Sequence, residues 1–248
     1  MQLDDYLKQF PLAAVAFSGG VDSSYLLYAA KSAGCDVRAY FIKSQFQPQF
    51  ELDDAIRLAE SIDVPLTVGH VDALRDPDVV RNPSDRCYYC KNAILSKLWE
   101  LVRADGIPVL FDGSNADDDE SDRPGMRAQR EHGVKSPLRE CGLVKADIRR
   151  LSKEAGLFTH DKPSYACLAT RIPAGTAIAE EMLKSIEHAE EALFDMGFTD
   201  FRVRLIPPNI AKLQLPATQW SQAAEKRAEI LETLRQRFES VVLDFSVR

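Results

Sequence analysis

The stretch LAAVAFSGGVDSSYLLYAAKSAG, residues 12–34, decides the fold class of this chain. Its first six residues form an apolar run of strand length, and residues 23–34 are typical of a helix closed by Gly34. Between them, residues 18–23 contain two glycines, which permit positive φ and a close approach of the backbone. The N–H groups of such a loop can point at one anion, and the following helix adds the positive end of its dipole. The pattern predicts a phosphate-binding loop between a strand and a helix.

The same alternation of strands and helices continues along the next hundred residues. Residues 37–42 and 65–71 are rich in strand-forming residues, and the segment FELDDAIRLAESI between them has helical spacing. A further helix is predicted at 87–104, followed by a fourth core strand in PVLFDG, residues 108–113. Short connections between alternating strands and helices predict an α/β fold with a parallel sheet that is covered on both faces.

The pattern changes after about residue 177. A helix at 179–196, two alternating strands in FRVRLI and AKLQL, a helix around 219–238 and a last strand at 241–247 predict a small α+β domain. Residues 112–142 are expected to form a long irregular loop, and residues 145–155 a helix ended by Gly156. We therefore expect two domains, residues 1–170 and 171–248.

The composition restricts the functional classes. With 248 residues, 45% of them hydrophobic and 28% charged, the chain is typical of a folded globular protein. A net charge of −7 argues against a general nucleic-acid binder, which needs a basic surface. No uncharged apolar run approaches the ~18–20 residues needed to span a membrane, and acidic residues precede the first apolar run. We expect a cytoplasmic protein whose five cysteines are reduced thiols.

The phosphate loop, residues 18–23, is neither a Walker A loop nor a dinucleotide fingerprint, because GxxxxGK[ST] and GxGxxG are both missing. It resembles the PP-loop of the ATP pyrophosphatase family, which cleaves ATP between the α and β phosphates to adenylate a substrate. The resemblance implies ATP with Mg²⁺, and Asp22 could either orient the loop or hold Mg²⁺ through water. Residues 41–44 and Gly113 fall where the family contacts adenine and ribose. The implied ATP-binding residues are Ser18, Gly19, Gly20, Val21, Asp22, Ser23, Ser44, Lys91 and Gly113.

Three further stretches indicate one branch of the PP-loop enzymes. They are DRCYYCK (85–91), DGSNADDDESDRPGMRA (112–128) with VKSPLRE (134–140), and DKPSYACLATRIPAG (161–175). Together they resemble the LarE family of ATP-dependent sacrificial sulfur transferases. That resemblance implies adenylation of pyridinium-3,5-dicarboxylic acid mononucleotide, a small-molecule nucleotide carboxylate, in the synthesis of the nickel-pincer cofactor. A cysteine thiolate then displaces AMP, and elimination leaves dehydroalanine in the protein. A homo-oligomer is expected from the resemblance alone.

By motif position the sulfur donor is Cys167. The cations Lys162 and Arg171 lie close to it in sequence, and nearby cations favour the thiolate nucleophile. A loop also leaves room for removal of the Cα proton. The alternative is a buried cysteine that acts as a small hydrophobic residue.

The resemblance implies substrate contacts at Arg171, Glu190, Arg202 and Arg204. In a strand, Arg202 and Arg204 share one face, where paired guanidinium groups suit a phosphate monoester. An exposed polar face of an edge strand is the alternative. The family usually continues with a His-Gly-Asp turn and an Arg-Ile-Glu strand, whereas this chain reads LIPPNIAKLQL, residues 205–215. This departure leaves open a different carboxylate substrate.

Cys87 and Cys90 form a CxxC pair, which is half of a zinc, iron–sulfur or redox site. Packing at the start of a helix near the nucleotide is the alternative, with Lys91 reaching phosphate. The acidic run 117–120 could bind Mg²⁺ or form a solvated loop. Arg123, Arg127 and Arg130, which follow it, could capture phosphate or pyrophosphate, or order the loop through salt bridges. Three other functions remain open: a tRNA thiolase that uses Cys87 and Cys90, a PP-loop amide ligase, and a regulatory protein that senses ATP.

Overall fold

The computed structural model describes residues 1–118 and 124–246 of the chain. It consists of two compact units. The first comprises residues 1–73 and 85–163, and the second comprises residues 74–84 and the chain from Ser164 onward. The domain boundary expected after residue 170 stays a prediction. Among the described residues, no helix combines the length and the apolar character that a membrane crossing requires.

The first unit contains a four-stranded parallel sheet. Its strands are β1 (Leu12–Ala16), β2 (Asp36–Lys43), β3 (Leu66–His70) and β4 (Leu110–Phe111), in the order β3-β2-β1-β4. Its helices are α1 (Leu3–Leu7), α2 (Val21–Ser32), α3 (Gln49–Ser61), α5 (Arg86–Ala104), α6 (Pro124–Glu131), α7 (Pro137–Glu140) and α8 (Lys145–Glu154). The short helix α4 (Pro77–Val80) lies between α3 and α5 along the chain and belongs to the second unit. The predicted α/β class with a parallel sheet is confirmed.

Alternate residues of β1 pack on opposite faces of this sheet. Ala13 and Val15 pack into an apolar cluster that includes residues of α2, α3 and α8. Ala14, which points the other way, packs in a second cluster with Leu95 and Leu98 of α5. Both faces are therefore covered, as a parallel sheet requires. Helix α2 ends where expected, because Gly34 follows it with φ +86°, a conformation that glycine adopts without strain.

The strand order places a topological switch between β1 and β4. The chain leaves β1 through α2 on one face of the sheet, whereas it reaches β4 through α5 on the other face. Because the two connections diverge, a crevice opens outside the carboxyl ends of these neighbouring strands. In open α/β sheets that crevice is where ligands bind.

The second unit contains a three-stranded sheet and its own helices. Strand β6 (Ile210–Gln214) pairs antiparallel with β5 (Arg202–Ile206) and parallel with β7 (Ser240–Asp244). Helix α9 (Glu180–Asp195) packs on β5 and buries Leu183, Ile186 and Leu193. The helices α10 (Trp220–Glu225) and α11 (Arg227–Leu234) precede β7. Residues 74–84 belong to this unit through Asn82, whose amide donates to the carbonyls of Pro173 and Thr176.

Two predictions of local structure were wrong. The helix expected around 219–238 is broken at Lys226 into α10 and α11, and the sequence gave no sign of this because no glycine or proline stands there. The loop expected at 112–142 contains the short helices α6 and α7. Both begin at a proline, which is well tolerated at a first helical position and could have indicated them.

Candidate active site

The phosphate loop, residues 18–23, follows β1 directly and is closed by its own hydrogen bonds. The Ser18 amide donates to Ser23 Oγ at 3.3 Å, and the two hydroxyl oxygens lie 3.1 Å apart. Ser23 Oγ also donates to the Gly20 carbonyl at 3.2 Å. Gly20 caps α2, whose first amides have no carbonyl partner within the helix. The loop can therefore offer several N–H groups to one anion.

Gly113 follows β4 and touches the phosphate loop. A Cβ added to Gly113 would lie 2.8 Å from the Ser23 backbone nitrogen, closer than atoms pack. Gly19 has φ +69°, and a Cβ there would lie 3.1 Å from the Glu51 carbonyl oxygen. Only glycine fits either position, which brings the ends of β1 and β4 together at the topological switch.

Asp22 is held by a residue that sequence reasoning missed. Lys145 Nζ donates to Asp22 Oδ2 at 2.5 Å, and the Lys145 amide donates to Asp117 Oδ2 at 2.7 Å. The other oxygen, Asp22 Oδ1, is buried and has no hydrogen-bond partner among the described residues. The sequence contained one indication of this contact. Lys145 is the first residue of α8, and a cation there is unfavourable because it faces the positive end of the helix dipole. An unsatisfied buried carboxylate oxygen suits a bound cation.

The remaining candidates for nucleotide contact lie on other elements of the first unit. Ser44 directly follows β2, and both its amide and its hydroxyl donate to Gln47 Oε1, at 3.0 and 2.7 Å. Lys91 lies in the second turn of α5, with its aliphatic part near Gly125. Phe41, the first residue of the stretch 41–44 that the resemblance assigns to adenine and ribose contact, lies within β2. The roles of Ser44 and Lys91 stay predictions.

The acidic run is only partly described. Asp118 Oδ2 accepts the Asn115 amide at 3.0 Å, and the Asp117 amide donates to Asn115 Oδ1 at 2.9 Å. These bonds, with the contact from Asp117 to Lys145, order the loop after β4. Asp119, Glu120 and Arg123 lie outside the described residues.

Lys162 belongs to the first unit and contacts the phosphate loop. Its Nζ donates to Asp54 Oδ2 at 2.6 Å and to the Gly19 carbonyl at 3.2 Å. The carbonyl contact fixes the peptide of Gly19, and Asp54 compensates the charge of the half-buried ammonium. Sequence proximity to Cys167 suggested a different role for Lys162, namely stabilising the thiolate.

Cys167 lies in the second unit, within the cysteine loop, residues 164–171. Its thiol is half-buried, and its residue precedes the short 3₁₀ helix Leu168–Arg171. Arginine side chains donate to three backbone carbonyls of this loop. Arg202 donates to Ser164 at 2.7 Å, Arg171 to Ala166 at 3.0 Å, and Arg204 to Thr170 at 2.7 Å. Guanidinium groups therefore hold the backbone on both sides of Cys167.

Arg171 and Glu190 form a buried ion pair beneath the cysteine loop. Each residue is 1% exposed. Glu190 accepts from Arg171 Nε and Nη2 at 2.8 and 3.0 Å, from the Val203 amide at 2.8 Å, and from the Tyr165 hydroxyl. Burial works to lower the pKa of Arg171, but the contacts with Glu190 outweigh it and raise that pKa. This carboxylate already accepts four hydrogen bonds, so direct contact of Glu190 with substrate stays a prediction.

Arg202 and Arg204 were expected on one face of a strand, and both side chains reach the cysteine loop from β5. Arg202 is 6% exposed and also donates to the Phe201 carbonyl at 2.6 Å. Arg204 is half-buried and donates to Gln214 Oε1 at 2.6 Å. Neither arginine side chain therefore lies on an exposed polar face of an edge strand, which was the alternative interpretation. Sequence reasoning missed their contacts with backbone carbonyls, for which no sequence signal exists.

The other cysteines differ in their surroundings. Burial raises the pKa of Cys35 to about 11 and also raises the pKa of Cys141, so both thiols are protonated and weakly nucleophilic near neutral pH. Cys87 is exposed and Cys90 is half-buried at the start of α5. Across residues 1–118 and 124–246, no cluster of three His, Cys, Asp or Glu side chains is arranged to hold a metal ion.

Comparison with curated proteins identifies relatives along most of the chain. A pyridinium-3,5-bisthiocarboxylic acid mononucleotide synthase of Lactiplantibacillus plantarum is 33% identical over 212 residues, which cover 85% of this chain and 76% of the relative. An uncharacterized protein of Synechocystis sp. is 33% identical over 236 residues, covering 94% of this chain and 88% of the relative. A scan against models of known protein families finds no match.

More distant similarity connects the chain with tRNA-modifying enzymes. A tRNA-specific 2-thiouridylase of Pseudothermotoga lettingae is 26% identical over 186 residues, which cover 60% of this chain and 53% of that protein. The parallel sheet and its phosphate loop fit the PP-loop fold of such enzymes. The nearer similarity, to the synthase, extends over much more of both chains. The chain therefore belongs to the LarE family of PP-loop sulfur transferases.

Proposed function

We propose that this protein uses ATP to activate a carboxylate of pyridinium-3,5-dicarboxylic acid mononucleotide and transfers to it the sulfur of Cys167. The product is a thiocarboxylate, and position 167 becomes dehydroalanine. The observation that carries the proposal is the cysteine loop, in which three arginines hold the backbone around a half-buried thiol. A cysteine that served only as a small apolar residue would not need its loop fixed by three cations.

The first step is adenylation. A carboxylate oxygen of the substrate attacks the α-phosphorus of ATP, the bond to the bridging oxygen breaks, and pyrophosphate leaves. The amides of residues 18–23 orient the phosphates, while Ser44, Lys91 and Gly113 contribute to the nucleotide site. Asp22 would hold Mg²⁺ through Oδ1, its unsatisfied oxygen, with Lys145 orienting the carboxylate. The metal would neutralise phosphate charge.

The second step transfers sulfur. The Cys167 thiolate attacks the acyl carbon, AMP leaves, and a thioester joins substrate and protein. Loss of the Cα proton forms the Cα–Cβ double bond and breaks the Cβ–Sγ bond, so the electron pair and the sulfur leave with the substrate. Arg202 and Arg204 are the proposed partners of the substrate phosphate, with Arg171 and Glu190 supporting them.

Intact-protein mass spectrometry after incubation with ATP, Mg²⁺ and the pyridinium dicarboxylate mononucleotide tests the proposal. We expect loss of the mass of one H₂S, mapped to dehydroalanine at residue 167. Cys167→Ser should show no such loss. A wild-type mass that stays unchanged while AMP forms would retain adenylation and reject Cys167 as the donor.

The same assay separates this function from tRNA thiolation. A thiolase that depends on the CxxC pair would lose sulfur transfer in Cys87→Ser and Cys90→Ser. Under the present proposal both variants still convert Cys167 to dehydroalanine. A double variant that forms AMP but leaves Cys167 intact, while the wild-type protein converts it, would show that sulfur transfer depends on the CxxC pair and would contradict the proposal.

A further inference from the structure

The carbonyl oxygen of Cys167 accepts two hydrogen bonds from a single residue. The Thr170 amide donates to it at 2.9 Å, and Thr170 Oγ1 lies 2.8 Å from it. Both donors belong to the second unit, as does Cys167. The carbonyl next to the proposed sulfur donor is therefore held by two groups at hydrogen-bond distance.

The direction of the hydroxyl bond follows from a third residue. Arg171 Nη1 lies 2.9 Å from Thr170 Oγ1. A guanidinium only donates, so the threonine hydroxyl accepts there. A carbonyl only accepts, so the hydroxyl proton points at Cys167. A chain of hydrogen bonds thus runs from a buried cation, through Thr170, to the Cys167 carbonyl, and each bond polarises the next.

This arrangement bears on the elimination step of the proposed function, on which the inference rests. Removing the Cα proton of a residue moves negative charge onto its own carbonyl oxygen. Donors already aimed at an oxygen where charge develops lower the barrier, because they need no reorganisation during the reaction. The Cys167 carbonyl is the oxygen that takes this charge.

We propose that the hydroxyl and amide of Thr170 form an oxyanion hole for the enolate of Cys167 itself. In this step the Cα proton passes to water, the Cα–Cβ double bond forms, and the Cβ–Sγ bond breaks. The sulfur keeps its electron pair and leaves as the thiocarboxylate. Arg171 is a positioning residue, since it acts through the Thr170 hydroxyl, and Glu190 holds Arg171 in place.

A local explanation competes with this proposal. Threonine hydroxyls often donate to the carbonyl three residues earlier and simply stabilise a turn. A turn-stabilising hydroxyl would affect every step that uses the cysteine loop. An oxyanion hole affects elimination alone, because the enolate exists only in that step.

The test compares Thr170→Val, which keeps the shape without the hydroxyl, with Thr170→Ser, which keeps the hydroxyl. Quenched samples taken with ATP, Mg²⁺ and the pyridinium dicarboxylate mononucleotide are resolved by intact mass into thiol, thioester adduct and dehydroalanine. AMP release measures the steps before elimination. We expect Thr170→Val to release AMP at the wild-type rate and to eliminate on the order of 100-fold more slowly, so that the thioester accumulates. Thr170→Ser should restore elimination.

Three outcomes would overturn the inference. The first is elimination at the wild-type rate in Thr170→Val. The second is equal slowing of AMP release and elimination, or no recovery in Thr170→Ser, since either would show a structural role. The third is a wild-type protein that forms AMP but neither thioester nor dehydroalanine at residue 167. That result would reject the proposed function itself, whereas the first two would leave it standing.

Discussion

The phosphate loop and the cysteine loop differ in which of their backbone groups are already hydrogen-bonded within the protein. The phosphate loop is closed by bonds among residues 18–23, which leaves the first amides of α2 available to a ligand. In the cysteine loop the carbonyls are occupied instead, and two of the three arginine donors come from far along the chain. Arg202 is 38 residues from Ser164, and Arg204 is 34 residues from Thr170. The hydrogen bonds that close the first loop are local, whereas those of Arg202 and Arg204 to the second depend on the packing of its whole unit.

The comparison predicts which changes act at a distance. A buried arginine that has lost its carboxylate is costly, because an uncompensated charge remains in the interior. At the phosphate loop, by contrast, a substitution acts through the steric clash of the added side-chain atoms with the closely packed backbone.

The largest effect is expected from Glu190→Gln. This change leaves Arg171 buried without its counterion, and removing one partner of a buried pair costs about 3 kcal/mol in the free energy of unfolding. Urea unfolding of the full chain measures it in a Trp99→Phe background, where the fluorescence of Trp220 reports the second unit. Glu191→Gln is the matched control, since the Glu191 side chain is 42% exposed and should change stability by less than about 0.5 kcal/mol. Equal losses in the two variants would contradict the role of the buried pair.

Gly113→Ala tests the phosphate loop. Its Cβ would lie 2.8 Å from the Ser23 nitrogen and displace the loop, so ATP-dependent AMP formation should fall on the order of 100-fold. The stability of the second unit should stay unchanged. Gly125→Ala is the control, because its Cβ would meet no atom of the described neighbouring residues closer than 3.9 Å. Wild-type AMP formation in Gly113→Ala would show that close contact at this edge of the sheet is not required.

The smallest effect is expected from Cys35, the buried thiol that lies just after α2. Burial raises the pKa of Cys35 to about 11, above its ordinary value of 9.0, so the folded state keeps the thiol proton longer than the unfolded state does. The stabilisation is complete below pH 9 and is lost as the pH rises through 11, by about 2 kcal/mol at pH 11. Cys35→Val, which cannot titrate, should lose about 2 kcal/mol less between pH 8 and pH 11 in urea unfolding. An identical pH dependence in both proteins would contradict the raised pKa.

Much of the first unit follows from sequence because its signals are local. The strand at residues 12–16, the loop after it and the glycine that ends α2 all belong to one short stretch whose hydrophobic period and turn residues act over a few positions. Lys145 also left a local sign, a cation at the start of a helix, but its partner Asp22 lies 123 residues away. No spacing rule connects two such residues.

Glu190 shows how far the sequence alone can predict a buried contact. The helical period places position 190 on the same stripe as Leu183, Ile186 and Leu193, so a buried carboxylate could have been expected there. The period does not reveal that Arg171, Tyr165 and the Val203 amide meet it, because those groups come from other elements.

The sequence by itself determined the alternating α/β order, the phosphate loop and the motifs that place the chain among the sulfur transferases. Each of these features depends on residues that are neighbours along the chain, where the hydrophobic period, the turn residues and the motif spacing act directly. Only the tertiary structure decided that three arginines bind the carbonyls around Cys167 and that Thr170 donates to the Cys167 carbonyl from a hydroxyl held by Arg171. Desolvation penalises a buried donor or acceptor that has no partner, and which partner each group finds depends on how the strands and helices of the unit pack.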